Sequence, residues 1–167
     1  MFLTGNFERS LDEKLRLALP KRIRELVNSK DPLVLTVGTD NSLALFTQAA
    51  FAAFAQKLAA RSPTGHDVRA FSRLLFARSH SVEIDSQGRI RLPAELAQMA
   101  GLERDIMLLG VGDHMELWNK SRWEAYLADL TPRYDELAEN ALGDVPAGNS
   151  SSIQLPTLTA ALPSQPR

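Results

Sequence analysis

The 167-residue sequence has no cysteine, which excludes disulfides, a thiolate nucleophile and zinc held through sulfur. Its three histidines, His66, His80 and His114, are scattered and show no metal-ligand spacing such as H-x-x-x-H. No apolar run approaches the ~20 residues of a membrane span. The opening MFLTGNFERS carries neither the basic stretch nor the long apolar core of a secretory signal. No nucleophile–base pair and no phosphate-cradling loop can be found. Gly110-Val111-Gly112 is a lone G-x-G that reads, with Asp113 and His114, as a hairpin turn. These absences argue against an enzyme, a metal site, a cofactor or a small-molecule substrate, and they make a cytoplasmic protein with no membrane partner the expectation.

An excess of charge is also lacking. Nineteen Lys and Arg face twenty Asp and Glu, for a formal net charge of −1, and 44% of residues are hydrophobic, enough for a globular core. The charge is unevenly spread, however. Residues 1–30 hold Arg9, Lys14, Arg16, Lys21, Arg22, Arg24 and Lys30 against Glu8, Asp12, Glu13 and Glu25. Residues 69–91 hold five arginines against Glu83 and Asp85, whereas the stretch from Tyr134 onward is acidic. Two separate basic stretches are local features that a near-zero total conceals.

The sequence repeats itself. Leu11–Ile23 (LDEKLRLALPKRI) matches Ile84–Leu96 (IDSQGRIRLPAEL) at an offset of 73, with identities at Asp12/Asp85, Arg16/Arg89, Leu19/Leu92 and Pro20/Pro93. Pro32–Phe46 then resembles Asp105–Trp118, and Thr47–Phe54 parallels Asn119–Tyr126, pairing Phe51 with Trp123 and Phe54 with Tyr126. Each half reads as strand, tight turn, strand, short helix, strand, turn, strand and longer helix. Asp suits the first position of a type I turn and Gly the fourth, so Asp85-Ser86-Gln87-Gly88 is a turn. Pro20 and Pro93 open the short helices, the first predicted over Lys21–Asn28, and Gly101 fits the end of the second. Thr47, with Asn119 or Ser121, supplies N-caps for the aromatic-bearing helices.

The predicted organisation is a first half over residues 1–60, a connecting segment with a helix over 61–79, a second half over 80–130, a C-terminal helix over 131–142 and a tail over 143–167. The tail has no aromatic residue, four prolines and two charges, and is expected to be disordered. Four short strands leave exposed edges. Two halves that interleave their strands about a pseudo-two-fold axis solve this as one small closed or nearly closed barrel, lined by Leu17, Leu19, Val34, Leu35 and Val37 with Ile90, Leu92, Met107, Leu108 and Val111.

The two D-x-x-x-R turns then emerge as symmetry mates. One reading of them is structural: Asp12 and Asp85 cap turn N–H groups while Arg16 and Arg89 pair with them or pack across the hairpin. The other is functional, with Arg16 and Arg89, backed by Lys14, Lys21, Arg22 and Arg91, projected onto phosphates or guanine edges, which the planar guanidinium matches bidentately. Both can hold at once. A scaffold protein that recruits partners through its helices is the alternative in which the arginines pair only structurally.

Paired D-x-x-x-R motifs in two halves, after the opening MFLTGNF, resemble the MraZ family of bacterial transcriptional regulators over about residues 1–140. The resemblance implies an α+β fold, a duplicated AbrB-like (SpoVT-AbrB) double-psi or swapped-hairpin β-barrel with flanking helices. It implies a ring-like homo-oligomer, an octamer, that binds double-stranded promoter DNA at short repeats upstream of the division and cell-wall gene cluster and associates with the nucleoid. It also implies a DNA-binding surface centred on Arg16 and Arg89 with Asp12 and Asp85. The family commonly has Gly just before the motif Arg, as at Gly88. Leu15 stands there in the first motif, which predicts a first turn of different shape or contact.

Overall fold

A computed structural model describes residues 2–27, 31–61 and 65–143. Of the predicted disordered tail over 143–167, residues 144–167 lie outside those described, as do residues 62–64 of the connecting segment, while the first short helix, predicted to reach Asn28, ends at Leu26 with Val27 extended. The chain divides into one unit up to Asp129 and a second from Leu130. The first unit contains β1 (Leu3–Ser10), β2 (Arg16–Ala18), α1 (Lys21–Leu26), β3 (Leu33–Val37), β4 (Leu43–Thr47), α2 (Gln48–Ala59) and α3 (His66–Ala77). It continues with β5 (His80–Val82), β6 (Arg89–Arg91), α4 (Ala94–Met99), β7 (Asp105–Gly112), β8 (Met115–Asn119) and all but the last residue of α5 (Lys120–Leu130). In the second unit a 3₁₀ turn over Thr131–Arg133 leads into α6 (Tyr134–Gly143), so Gly143 ends a helix where the sequence suggested the start of the tail.

All strand pairs are antiparallel, and the halves interleave. Six strands run in the order β1-β7-β8-β4-β3-β5, while β2 and β6 pair only with each other. Thus β1 of the first half lies on β7 of the second, and β5 of the second lies on β3 of the first. Register locates the symmetry. Leu17 and Ile90 are equivalents in the repeat, and each is the other's Cα partner in the β2–β6 ladder. Ala44 and Glu116 are likewise equivalents and partners in the β4–β8 ladder. Residues related by a repeat can face each other only across a local two-fold axis, so the axis passes through both ladders.

Alternation along the strands sorts the residues into two layers. Leu35, Leu43, Ile106, Leu108 and Leu117 turn to one face and join Leu17, Ile23, Ile90, Leu92 and Leu96 in a single core that both halves build. Met107, Leu109 and Trp118 turn to the other face and pack with Trp123. On that face Phe46, Phe51 and Phe54 form the matching aromatic group, with Trp118, Trp123 and Tyr126 at the α5 end. The helices beneath these rings begin at the expected caps. Thr47 Oγ1 accepts from Ala50 N at 3.2 Å, and of the two alternatives at the second site it is Asn119 Oδ1 that accepts, from Arg122 N at 3.3 Å.

Four expectations require correction. The strands do not form a closed barrel: the six-stranded sheet is open, with β1 and β5 at its edges. The three-residue β2 and β6 are too short to bridge those edges, and a single isolated bridge, Leu11 to Leu17, joins them to the region of β1. Val111 is 43% exposed, because alternation along β7 turns it to the face of Met107 and Leu109, away from the core that Ile106 and Leu108 enter. Met107 is buried, but in the second apolar layer rather than beside Leu108, and its repeat equivalent Val34, half-buried between Leu33 and Leu35, likewise turns away from the core.

Because Leu17 and Ile90 are fully buried and in register, Leu17→Ala and Ile90→Ala should each cost about 2–5 kcal/mol. The double variant should deviate from additivity by about 0.5–3 kcal/mol, as contacting residues do. Urea unfolding of the single and double variants checks both figures.

Candidate nucleic-acid interface

The two D-x-x-x-R segments fold into the same turn. In the second, Gly88 N donates to Asp85 O at 2.9 Å and Asp85 N donates to Arg89 O at 2.8 Å. In the first, Leu15 N donates to Asp12 O at 2.9 Å and Asp12 N donates to Arg16 O at 3.1 Å. The aspartate side chains close each loop from within. Asp12 Oδ1 accepts from Lys14 N and Arg16 N, both at 2.9 Å, and Oδ2 accepts from Arg16 Nε at 2.7 Å. Asp85 repeats the set with Gln87 N, Arg89 N and Arg89 Nε, each at 2.9 Å.

These bonds all favour the ionised carboxylate. The Arg16 backbone N–H above all, with the Arg16 guanidinium and the Lys14 N–H, holds Asp12 below the ordinary carboxylate range against the opposing effect of burial. The Arg89 backbone N–H, then its guanidinium and the Gln87 N–H, do the same for Asp85. Each aspartate therefore spends its charge on shaping the turn and holding one edge of its arginine. This part of the structural reading is present, and at the second turn an Arg89 Nη also lies 2.8 Å from Asp85 Oδ2.

Leu15 does not give the first turn a different shape. Its φ is +57° against +76° at Gly88, and the hydrogen bonds match one for one. A left-handed leucine costs roughly 1–2 kcal/mol. The side chain is half-buried against the common core, which offsets that cost. The position of each turn is fixed by the other half: Leu92 N donates to Leu15 O at 2.8 Å, and Leu19 N donates to Gly88 O at 3.0 Å.

The ladder sets the direction of the arginines. With Leu17 and Ile90 fully buried on one face of β2–β6, alternation places Arg16, Ala18, Arg89 and Arg91 on the other. The turns leave opposite ends of the short ladder, and Arg16, Arg89 and Arg91 share one accessible face. Lys14 is exposed at the tip of the first turn, where Gln87 is its counterpart. Lys21 and Arg22 lie on α1, and Lys21 lines a cleft with Asp85, Ser86 and Gly88 of the second turn. Arg22 Nη2 reaches Thr4 Oγ1 of β1 at 3.4 Å, and Lys21 pairs with Glu25 at 3.7 Å.

One neighbour of the second turn went unassigned in the sequence beyond its place in a basic stretch. Arg24 lies across Gly88, so closely that a Cβ there would sit 2.6 Å from its Cδ and 2.7 Å from its Nη1. The signal was the i, i+3 spacing of Lys21 and Arg24 on a helix that follows Pro20, but which turn they would meet depends on the interleaving of the halves.

His114 has no catalytic geometry. Glu116, Asp113 at 2.7 Å and the stacked Phe46 ring surround it, and the two carboxylates, Glu116 foremost, raise its pKa above the ordinary histidine value against partial burial. It is a constituent of the β7–β8 turn. Among the described residues no helix is long and apolar enough to cross a membrane.

The family described as "MraZ protein, putative antitoxin-like" matches the chain twice, over residues 2–74 and 75–144. The chain is 39% identical over 140 residues to a protein of Mycoplasmoides gallisepticum named Transcriptional regulator MraZ, covering 84% of this chain and 96% of that protein. It is 38% identical over 135 residues to one of the same name from Acetivibrio thermocellus, covering 81% and 93%.

The depressed aspartates give a signed pH dependence. Because the folded pKa lies below the unfolded one, the stabilisation is complete above the ordinary aspartate value, roughly pH 4, and is lost as pH falls through the folded pKa. Thermal midpoints from pH 6 to pH 2.5 should fall in the wild type, and the fall should be shallower in Asp12→Asn with Asp85→Asn.

Proposed function

The chain belongs to the MraZ family, and from that premise we propose that it is a sequence-specific DNA-binding transcriptional regulator acting on short promoter repeats upstream of the division and cell-wall gene cluster. The observation that carries the reading is the β2–β6 ladder, a two-stranded ribbon with Arg16, Arg89 and Arg91 on one accessible face. The major groove of B-DNA admits such a ribbon, and guanidinium groups fit guanine O6 and N7 or backbone phosphates. Asp12 and Asp85 pre-order Arg16 and Arg89 through Nε, reducing the entropy lost when the outer N–H groups engage DNA.

One ribbon offers few cations, so affinity comes from several protomers of a ring-like homo-oligomer, an octamer, engaging repeated sites together. Exposed apolar side chains on α3, namely Phe71, Leu74 and Phe76, provide surface for that assembly. The halves over residues 1–60 and 80–130 are AbrB-like swapped hairpins, joined through the helix-bearing segment 61–79, and the helix over 131–142 and the tail extend from them. The strand exchange between β1 and β7 and between β3 and β5 supports that assignment. The protein works in the cytoplasm at the nucleoid, as a DNA-binding regulator without cofactor, metal or small-molecule substrate.

Arg16→Ala with Arg89→Ala should abolish the gel shift of a duplex from the chain's own upstream region while leaving the oligomer's elution volume unchanged. Each single variant should lose about 1–3 kcal/mol of binding and relax sequence preference. Wild-type affinity should fall steeply with salt. Equal affinity for promoter and scrambled duplexes, flat across salt, would instead favour a scaffold that recruits partners through its helices.

A further inference from the structure

The repeat makes the two turns alike, yet their surroundings differ in charge. At the second turn a cleft of about 480 Å³ opens between α1 and the loop, lined by Lys21, Arg24, Glu25, Asp85, Ser86 and Gly88. Arg24 lies across its floor at Gly88, and none of the ion pairs among the described residues includes it. Of the two acids, Asp85 is committed to Arg89 at 2.8 Å, and Glu25 meets Lys21 at 3.7 Å with both side chains largely in solvent, a weak pair. The helix equivalent to α1 in the repeat is α4. There Lys21, Arg22 and Arg24 are replaced by Ala94, Glu95 and Ala97, so α4 has no cation. Two clefts border the first turn, where Leu15 takes the place of the glycine: one of about 470 Å³ with Asp12, Glu13 and Glu103 against Arg104, and one of about 550 Å³ reaching Ala94 of α4, where the arginine is Arg91 of the ladder itself and the helix contributes no cation.

We infer that the cleft between α1 and the second turn is a seat for a phosphate of the DNA backbone, held by the fork of Arg24 and the ammonium of Lys21 with the Ser86 hydroxyl beside them, and that the first turn has no such seat. The inference rests on the DNA-binding reading and deepens it. Arg89 and the phosphate seat form one anchored corner. Arg16 and Arg91 contact DNA without a helix-borne clamp. Each protomer is therefore polar on the duplex despite its internal two-fold symmetry, and α1 fixes which turn leads. A guanidinium fork suits a tetrahedral phosphate, and Arg24 is free to offer it because Gly88 has no side chain to occupy the space.

The test uses the full chain in its assembled form, with fluorescence anisotropy on a duplex from its own upstream region and on a scrambled duplex, between 50 and 200 mM salt. Arg24→Gln should weaken binding to both duplexes by the same factor and lower the slope of log K against log salt by about 1 for each seat engaged. Arg24→Lys, which keeps the charge, should restore most of the slope, and unchanged thermal midpoints would show that neither variant disturbs the fold. If the wild type binds with a salt slope and Arg24→Gln keeps the same slope and affinity, the seat is overturned. If inorganic phosphate raises the thermal midpoint of the wild type but not of Arg24→Gln, while DNA slopes are identical, the cleft takes a free ion and the backbone assignment is overturned. A wild type with no salt-dependent DNA binding would defeat the underlying functional reading instead.

Discussion

The pairing of β2 with β6 is the constraint on which the rest of the molecule depends. Two three-residue strands cannot hold together alone, and they persist because Leu17 and Ile90, opposite one another on the local two-fold axis, close the core that the six-stranded sheet leaves open on that side. Burying one face of the ladder necessarily exposes the other, and that face carries the arginines. The hydrogen bonds from Leu92 to Leu15 and from Leu19 to Gly88 then fasten each turn to the opposite half. Neither half can therefore place its own motif without the other. The site is a property of the interleaved pair.

Duplication produced equivalent turns, and divergence has since made them unequal through one local exchange of volume. At the second turn Arg24 fills the space beside position 88, where glycine takes the left-handed backbone without strain and a Cβ would have to displace the end of the Arg24 side chain. At the first turn the corresponding helix position is Ala97, and a leucine occupies the left-handed position with its side chain half-buried. The same two substitutions alter charge as well as packing. A basic helix stands by the turn without a side chain at that position, and a helix with no cation stands by the turn with one. Shape is conserved between the corners, and electrostatics are not.

Much of this was legible in the residues themselves. The offset of 73 exposed the duplication, the Asp-to-Gly spacing exposed the turn, and the exposed edges of short strands implied an exchange between halves, but the strands flanking the turn do not pair as a hairpin: β5 lies on β3 and β6 on β2. What escaped has physical reasons. Barrel closure depends on how far β2 and β6 extend, and strand length at an edge is set by tertiary packing rather than by pattern. Val111 and Leu108 look alike as apolar strand residues, but three residues apart on a strand they face opposite ways, and in an apolar run such as β7 composition does not mark which face meets the core. The backbone preference of leucine argued against a left-handed Leu15. Its burial, a non-local quantity, decided otherwise. Arg24 was invisible as a neighbour of Gly88 because sixty-four residues and a strand exchange separate them.

The absence of native cysteine allows the central pairing to be tested directly. The bonds at Leu15–Leu92 and Leu19–Gly88 make Arg16 and Arg91 a non-hydrogen-bonded pair, with Cα atoms about 4.5 Å apart, within disulfide range. Arg16→Cys with Arg91→Cys, oxidised in the assembled protein and run on a non-reducing gel, should give a quantitative intrachain disulfide. No cross-link, or one that joins separate chains, would contradict the account.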